Sequence, residues 1–193
     1  MITTFLFDLD DTIIDGEIYA EIYPQMLEMF KEQGIDVDKE AKKLGLKKNK
    51  FGRWDSGDLC RKWDLLNEYY QILEPQIKSI SNLKKEIILV LEQLKGKRLG
   101  IVSNTMLKTI KLYLEKYKLN EHFKFIFSFE DSEHRKDNQQ CWKDLIKREN
   151  LNPQECLVIG DDPIEDIEIP SKLGFKTLLI KCNEDLKEVL NFI

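Results

Sequence analysis

Short apolar runs that alternate with helix-like stretches are the feature that most constrains the fold of this 193-residue chain. The predicted strands are Thr3–Phe7, Leu99–Val102, Phe125–Phe127, Leu157–Ile159 and Thr177–Ile180. Between the later strands, apolar residues recur every three or four positions, as Leu107, Ile110 and Leu114 do, which is the spacing of one helix face. Strands that alternate with helices predict βαβ units, and therefore a parallel sheet covered by helices on both sides.

The segment Gly16–Asn82 breaks this alternation because it contains no convincing strand. Its apolar spacing predicts one amphipathic helix that ends at Gly34 and a second, Leu59–Leu73, that Pro75 stops. The segment Lys47–Gly57 between them is predicted to be a loop. We therefore expect two parts: a core made of residues 1–15 and 83–193, and a helical part made of residues 16–82.

Composition limits the classes of partner. The net charge of −5 argues against nucleic acid, whose phosphates attract basic surfaces. No apolar run approaches the roughly 20 residues that span a bilayer, and the N-terminus lacks a secretory signature, so we expect no membrane association and a cytoplasmic location. The four cysteines are scattered, which argues against a zinc site or a disulfide framework. The oligomeric state is left open, since aromatic residues such as Trp54 and Trp63 can pack internally or form a partner surface.

An acidic cluster follows the first predicted strand. Asp8, Asp10 and Asp11 lie so close in sequence that their charges repel unless a cation compensates them, and Mg²⁺ is the hard cation that prefers such oxygen ligands. Asp8 is the candidate nucleophile, because an aspartate can form an aspartyl-phosphate, and Asp10 is the candidate general acid and base. The competing interpretation is an acidic turn in which Asp11 and Thr12 cap a following helix.

Two further polar clusters follow later in the chain. Ser103 comes directly after an apolar run and can donate its hydroxyl to a phosphoryl oxygen, while Asn104 is a candidate substrate contact. The alternative is an ordinary helix cap at a strand-to-helix junction. Lys136 can supply a positive charge to phosphoryl oxygens and to the nucleophile, although it competes for this role with Arg135 and with a solvated surface position.

The fourth cluster, Gly160–Asp166, follows another apolar run and brings Asp161 to the end of a strand. Pro163 suits the first turn of a helix, and Asp166 lies one turn further on, where it can face a metal site. An acidic helix N-terminus favoured by the macrodipole is the alternative for Asp162 and Asp166. Because ligands of open parallel sheets bind beyond the carboxyl ends of the strands, we expect these clusters to converge at one edge.

In their types and order these clusters resemble the haloacid dehalogenase-like superfamily of hydrolases. Asp8-Leu9-Asp10-Asp11-Thr12 matches the family's first motif, Ser103 the second, Lys136 the third, and Gly160-Asp161 through Asp166 the fourth. The third motif often has a proline after the lysine, where this chain has Asp137. The segment 16–82 lies where the family carries its C1-type helical cap.

The resemblance implies a Rossmann-like, doubly wound parallel core with this cap inserted after the first strand. It also implies Mg²⁺-dependent hydrolysis of a small phosphorylated metabolite through an aspartyl-phosphate. Asp8 attacks phosphorus and Asp10 transfers the proton, while Ser103 and Lys136 hold the phosphoryl group. The metal ligands would be the Asp8 carboxylate, the Asp10 backbone carbonyl and Asp161, supported by Asp162 and Asp166.

Two other activities remain open at this point: a phosphomutase of the same fold and a non-catalytic binding or regulatory module. The candidate substrate contacts are Thr12, Asn104 and, in the cap, Arg53, with Trp54 beside it. The sequence does not identify the substrate.

Overall fold

The computed structural model describes residues 1–46, 48–49 and 51–193. Lys47 and Lys50, which belong to the predicted cap loop, lie outside the described residues. The chain forms two compact units, one made of residues 1–15 and 83–193 and the other of residues 16–82.

A five-stranded parallel sheet forms the first unit, in the order β3-β2-β1-β4-β5. The strands are β1 Thr4–Phe7, β2 Arg98–Val102, β3 Phe125–Phe127, β4 Cys156–Gly160 and β5 Lys176–Leu179. Each bound lies within one residue of its sequence prediction, because each strand contains a short apolar run that marks its position. The predicted Rossmann-like parallel fold is confirmed. The order of the strands reverses beside β1, which creates the crevice where such sheets bind ligands.

The helices of the two units are α1 Glu17–Glu32, α2 Val37–Lys43, α3 Ser56–Lys62, α4 Leu66–Ser79, α5 Lys85–Gln93, α6 Leu107–Lys116, α7 Gln139–Glu149 and α8 Ile169–Ser171. Helix α7 packs Trp142 and Leu145 onto one face of the sheet, where they join a buried cluster with Leu6 and Val158. Among the described residues, no helix combines the length and apolar character needed to cross a membrane.

The end of the chain is a 3₁₀ helix, Asn183–Phe192. Its two buried residues, Leu186 and Val189, are three positions apart, which is one full turn of a 3₁₀ helix. An apolar spacing of three therefore suits this tighter helix as well as it suits one face of an α-helix.

The second unit consists of α1–α4. Helix α1 buries one face and ends where Gly34 adopts a left-handed conformation with φ +70°, as predicted. The buried face consists of Ile18, Ile22, Met26, Met29 and Phe30. Trp54 is buried in this unit and donates its indole N–H to Asp38 at 2.8 Å, while the ring of Trp63 packs edge-on against Phe30.

The single helix predicted over Leu59–Leu73 is wrong in two respects. The helix is interrupted between α3 and α4, where Asp64 adopts a left-handed conformation with φ +59°. Pro75 does not stop α4, which continues to Ser79. The hydrogen bond that proline removes is offset by burial on both sides of it, at Leu73 and Ile77.

Gly100 in β2 is required by the aromatic ring of its partner in β3. A Cβ at Gly100 would lie 2.3 Å from the Phe125 ring. We therefore expect Gly100→Ala to lower the free energy of unfolding by about 1–3 kcal/mol, which is typical of overpacking. Urea unfolding measures this in a double-mutant cycle of Gly100→Ala and Phe125→Ala. The cost of Gly100→Ala in unfolding free energy should shrink when Phe125 is also replaced by Ala. An equal cost in both backgrounds would contradict the proposed clash.

Candidate active site

Three of the predicted site residues lie at the ends of neighbouring strands. Asp8 follows β1, Ser103 follows β2 and Asp161 follows β4. The sheet ladder continues one residue into the site, because Asp8 N donates to Ile159 O at 2.8 Å and Ser103 N donates to Phe127 O at 2.9 Å. The backbones of Asp8 and Ser103 are therefore held by the core sheet at the point where its strand order reverses.

Lys136 joins two of the acidic side chains. Its Nζ donates to Asp8 Oδ1 at 2.5 Å and to Asp166 Oδ1 at 2.7 Å. The three side chains are only 5%, 8% and 1% exposed, respectively. Water therefore screens these ion pairs little, and the ammonium compensates two carboxylates that would otherwise face each other in the protein interior.

The backbone of Lys136 is fixed on both sides by side chains. Its N–H donates to Asn104 Oδ1 at 3.0 Å, and its carbonyl accepts from Trp142 Nε1 at 3.1 Å. The amide of Asn104 also donates to Glu165 Oε2 at 2.6 Å. Asn104, predicted to contact substrate, thus bridges the loop of Lys136 and the segment after β4; its contact with substrate stays a prediction.

Burial and the opposite charge of the ion pair act in opposite directions on the pKa values of Asp8 and Lys136. Burial raises the pKa of Asp8 well above its usual value, and the Asp166 and Asp10 carboxylates add to this, while the Lys136 ammonium opposes it. For Lys136, burial alone would lower the pKa, but the Asp166, Asp8 and Glu165 carboxylates outweigh it and raise the pKa. Lys136 is therefore a permanent positive charge in the site.

A group of three carboxylates has the donors that a hard divalent cation requires. One oxygen from each of Asp8, Asp161 and Asp166 can be chosen so that all lie within 4.8 Å of one another. A set of carboxylate oxygens fits Mg²⁺, which prefers oxygen ligands. The group includes Asp166, predicted only to support the ligands, and does not include the carboxylates of Asp10 and Asp162.

Asp162 caps the helix that carries Asp166, and Gly160 leaves room for the Asp166 side chain. The Asp162 carboxylate accepts from Ile164 N at 2.8 Å and Glu165 N at 2.9 Å, so it caps the π-helix Pro163–Glu168. A Cβ at Gly160 would lie 2.2 Å from the Asp166 carboxyl. Glycine at this position therefore permits the close approach of Asp166, which lies against the end of β4.

Asp10 and Ser103 are connected through one threonine that the sequence analysis did not single out. Thr105 Oγ1 donates to Asp10 Oδ2 at 2.5 Å, and Thr105 N donates to Ser103 Oγ at 3.1 Å. Glu165 and Trp142 were also missed. The only sequence signal for a role of Thr105 is its place in the same strand-end cluster as Ser103. No sequence signal indicates the contacts of Glu165 and Trp142.

No described hydrogen bond joins the remaining predicted substrate contacts, Thr12 and Arg53, to the acidic side chains that surround Lys136. Thr12 is fully buried in the first unit, and its hydroxyl has no hydrogen-bond partner among the described residues. Arg53 belongs to the second unit, where its guanidinium lies 4.9 Å from the centre of the Phe51 ring. Its Nη1 is buried without a hydrogen-bond partner in the part of the chain that the structure describes.

Comparison with known proteins identifies the class of this site. Residues 5–180 match the family model described as haloacid dehalogenase-like hydrolase. The chain is 24% identical to the glyceraldehyde 3-phosphate phosphatase of Pyrococcus abyssi, over 94% of this chain and 82% of that protein. It is also 24% identical to the pyrophosphatase PpaX of Bacillus thuringiensis, over 93% of this chain and 83% of that protein.

A solved structure shares the fold across the whole chain. It is that of the HAD hydrolase YfnB of Bacillus subtilis, bound to magnesium, with a TM-score of 0.67, 23% identity and coverage of 98% of this chain and 99% of that one. The protein is thus a hydrolase whose first unit has a Rossmann-like core, a parallel sheet with helices. It belongs to the haloacid dehalogenase-like hydrolase family, as predicted, and the relatives named as phosphatases support phosphoric ester hydrolysis as its reaction.

Removal of the Lys136 charge should destabilise the fold in a pH-dependent way. In Lys136→Met, Asp8 and Asp166 lose their buried countercharge, so we expect a loss of about 3–5 kcal/mol near pH 7 in metal-free buffer. Burial raises the pKa of Asp8, and loss of the opposing ammonium raises it further above the value of about 3.9 in the unfolded chain, so the loss should shrink as the pH falls towards 4. Urea unfolding across this range measures it.

The matched control is Lys172→Met, which removes a lysine from a half-exposed pair with Glu168. That variant should lose at most about 1 kcal/mol and show no such pH trend. A Lys136→Met variant as stable as this control at pH 7 would refute the role of the ammonium as a necessary countercharge.

Proposed function

We propose that this protein is a Mg²⁺-dependent phosphatase that hydrolyses a small phosphorylated metabolite through an aspartyl-phosphate on Asp8. The observation that carries the proposal is the buried Lys136 ammonium, 2.5 Å from the Asp8 carboxylate at the end of the central strand. A carboxylate alone would repel an incoming phosphate dianion. A positive charge beside the carboxylate weakens this repulsion. The relatives named as phosphatases support the same reaction.

The reaction would take place in two displacements. In the first, an Asp8 carboxylate oxygen forms a bond to phosphorus while the bond from phosphorus to the leaving oxygen breaks, and Asp10 gives its proton to that oxygen. In the second, Asp10 takes a proton from water, whose oxygen bonds to phosphorus as the Asp8–phosphorus bond breaks. Inorganic phosphate is released, and both aspartates return to their starting protonation states.

Two side chains would hold the transferring phosphoryl group. Lys136 supplies charge, and Ser103 donates its hydroxyl proton, because its oxygen already accepts from Thr105 N. Asp8 and Asp161, with Asp166 beside them and the Asp10 carbonyl, would hold Mg²⁺. When bound, the metal would neutralise negative charge on the phosphoryl oxygens.

The substrate class is proposed from chemistry common to the relatives, which are named for glyceraldehyde 3-phosphate and pyrophosphate. Both names describe small phosphorylated compounds. In the cap, Arg53 is the proposed contact to the substrate, since a buried guanidinium N–H without a described partner favours an anionic ligand. Thr12 and Asn104 remain proposed contacts, and a cytoplasmic location remains a prediction from the sequence.

The first test of this proposal is Asp8→Asn, with Asp11→Asn as its matched control. The amide is a poor nucleophile, so the release of inorganic phosphate from a panel of phosphorylated metabolites should fall at least about 10³-fold. Asp11→Asn makes the same chemical change three residues away, at a left-handed position with φ +59° that asparagine tolerates, and should keep near wild-type turnover. Equal activity of the two variants would disprove Asp8 as the nucleophile.

Metal removal tests the second half of the proposal. Treatment with a chelator should abolish phosphate release, and added Mg²⁺ should restore it. Asp161→Asn should raise the Mg²⁺ concentration needed for half-maximal activity, because it removes one charged ligand. Titration of activity with Mg²⁺ measures this shift, and phosphate release that continues unchanged in the chelator would contradict the metal site.

A further inference from the structure

Thr105 contacts Asp10, the proposed acid–base residue, and Ser103, whose hydroxyl is proposed to donate to the phosphoryl group. Its Oγ1 lies 2.5 Å from Asp10 Oδ2, and its N–H donates to Ser103 Oγ at 3.1 Å. The two contacts use different parts of the same residue, so a side-chain substitution can remove the first without removing the second. Asp10 and Thr105 are separated by 95 positions in the sequence.

The usual explanation for a threonine before a helix is a capping role, and the structure does not support it here. The residue that caps α6 is Met106, which has no side-chain hydrogen bond to the helix. The first amide of α6, Leu107 N, instead donates to Glu130 Oε2 at 2.6 Å. The Thr105 hydroxyl is therefore directed at Asp10 and not at the helix end.

A hydroxyl within hydrogen-bond distance of one oxygen of a carboxyl group fixes which oxygen faces it. Asp10 Oδ2 faces Thr105 Oγ1 and accepts its proton when the carboxyl group is ionised, so Asp10 Oδ1 is directed away from Thr105. The same contact restricts rotation of the carboxyl group. Both effects favour one orientation for the transfer of a proton to a leaving group.

We propose that Thr105 is a positioning residue that orients Asp10 for proton transfer, an inference that rests on the phosphatase function proposed above. Thr105 does not itself exchange a proton with the substrate. Its loss should therefore affect a reaction in proportion to how much that reaction depends on protonation of the leaving group.

The experiment compares Thr105→Val with wild type on two substrates of similar size, phenyl phosphate and 4-nitrophenyl phosphate. Phenol is the weaker acid, so its departure depends more on the Asp10 proton. We expect kcat/KM for phenyl phosphate to fall about tenfold or more, and kcat/KM for 4-nitrophenyl phosphate to fall clearly less. Thr105→Ser, which keeps the hydroxyl, should recover most of the loss on phenyl phosphate.

Thr177→Val is the matched control, since Thr177 lies on β5 with its hydroxyl 3.2 Å from Ser171 Oγ of α8 and takes no part in the site. It should leave both substrates unaffected. Equal losses on the two substrates in Thr105→Val, or no loss on either, would overturn the proposal. So would a crystal structure in which the Asp10 carboxyl lies beyond hydrogen-bond distance of Thr105 Oγ1, whatever the activity.

Failure of the underlying function gives a different pattern. Wild-type protein with Mg²⁺ would then release no phosphate from either aryl ester or from the metabolite panel, and the inference about Thr105 would fall with it. An active wild type with an unaffected Thr105→Val variant would instead leave the phosphatase function intact and reject only the role of Thr105.

Discussion

The buried ammonium of Lys136 is the interaction on which the site depends. Asp8 and Asp166 are almost fully buried, and two carboxylates cannot remain ionised side by side in the protein interior without a countercharge. Lys136 supplies it at 2.5 and 2.7 Å. Other features follow from this requirement: Asn104 and Trp142 hold the Lys136 backbone, and the absence of a side chain at Gly160 lets Asp166 come close enough.

The parallel sheet provides the rigid side of the arrangement. Asp8 and Ser103 extend ladder hydrogen bonds of buried strands, so their backbone positions are fixed by the same packing that stabilises the core. The other members come from loops and from the π-helix Pro163–Glu168, and these segments need anchors. Those anchors are side chains that bridge from loop to loop, such as Asn104 to Glu165 and Thr105 to Asp10. Precision in the site thus comes from strand ends on one side and from hydrogen-bonded bridges on the other.

Much of the fold could be predicted because its strands are short apolar runs whose ends the sequence marks clearly. The clusters after these runs were predictable for the same reason, since parallel strands bring their carboxyl ends to one edge. The break between α3 and α4 was not, because Asp64 adopts a conformation that local spacing does not indicate. Nor were the contacts of Thr105 and Glu165, which join segments 95 and 61 residues apart through single hydrogen bonds.

The geometry of the site gives different partners to Asp8 and Asp10, two aspartates only two positions apart with different proposed roles. Asp8 meets an ammonium, which stabilises the anion that a nucleophile must be and opposes the effect of burial on its pKa. Asp10 accepts a hydrogen bond from the Thr105 hydroxyl, a neutral group that orients its carboxyl group. A group that must gain and lose a proton in successive steps needs this second kind of partner. In the proposed mechanism, the division between nucleophile and acid–base residue therefore follows from the partners that the fold supplies, since the two side chains are chemically identical.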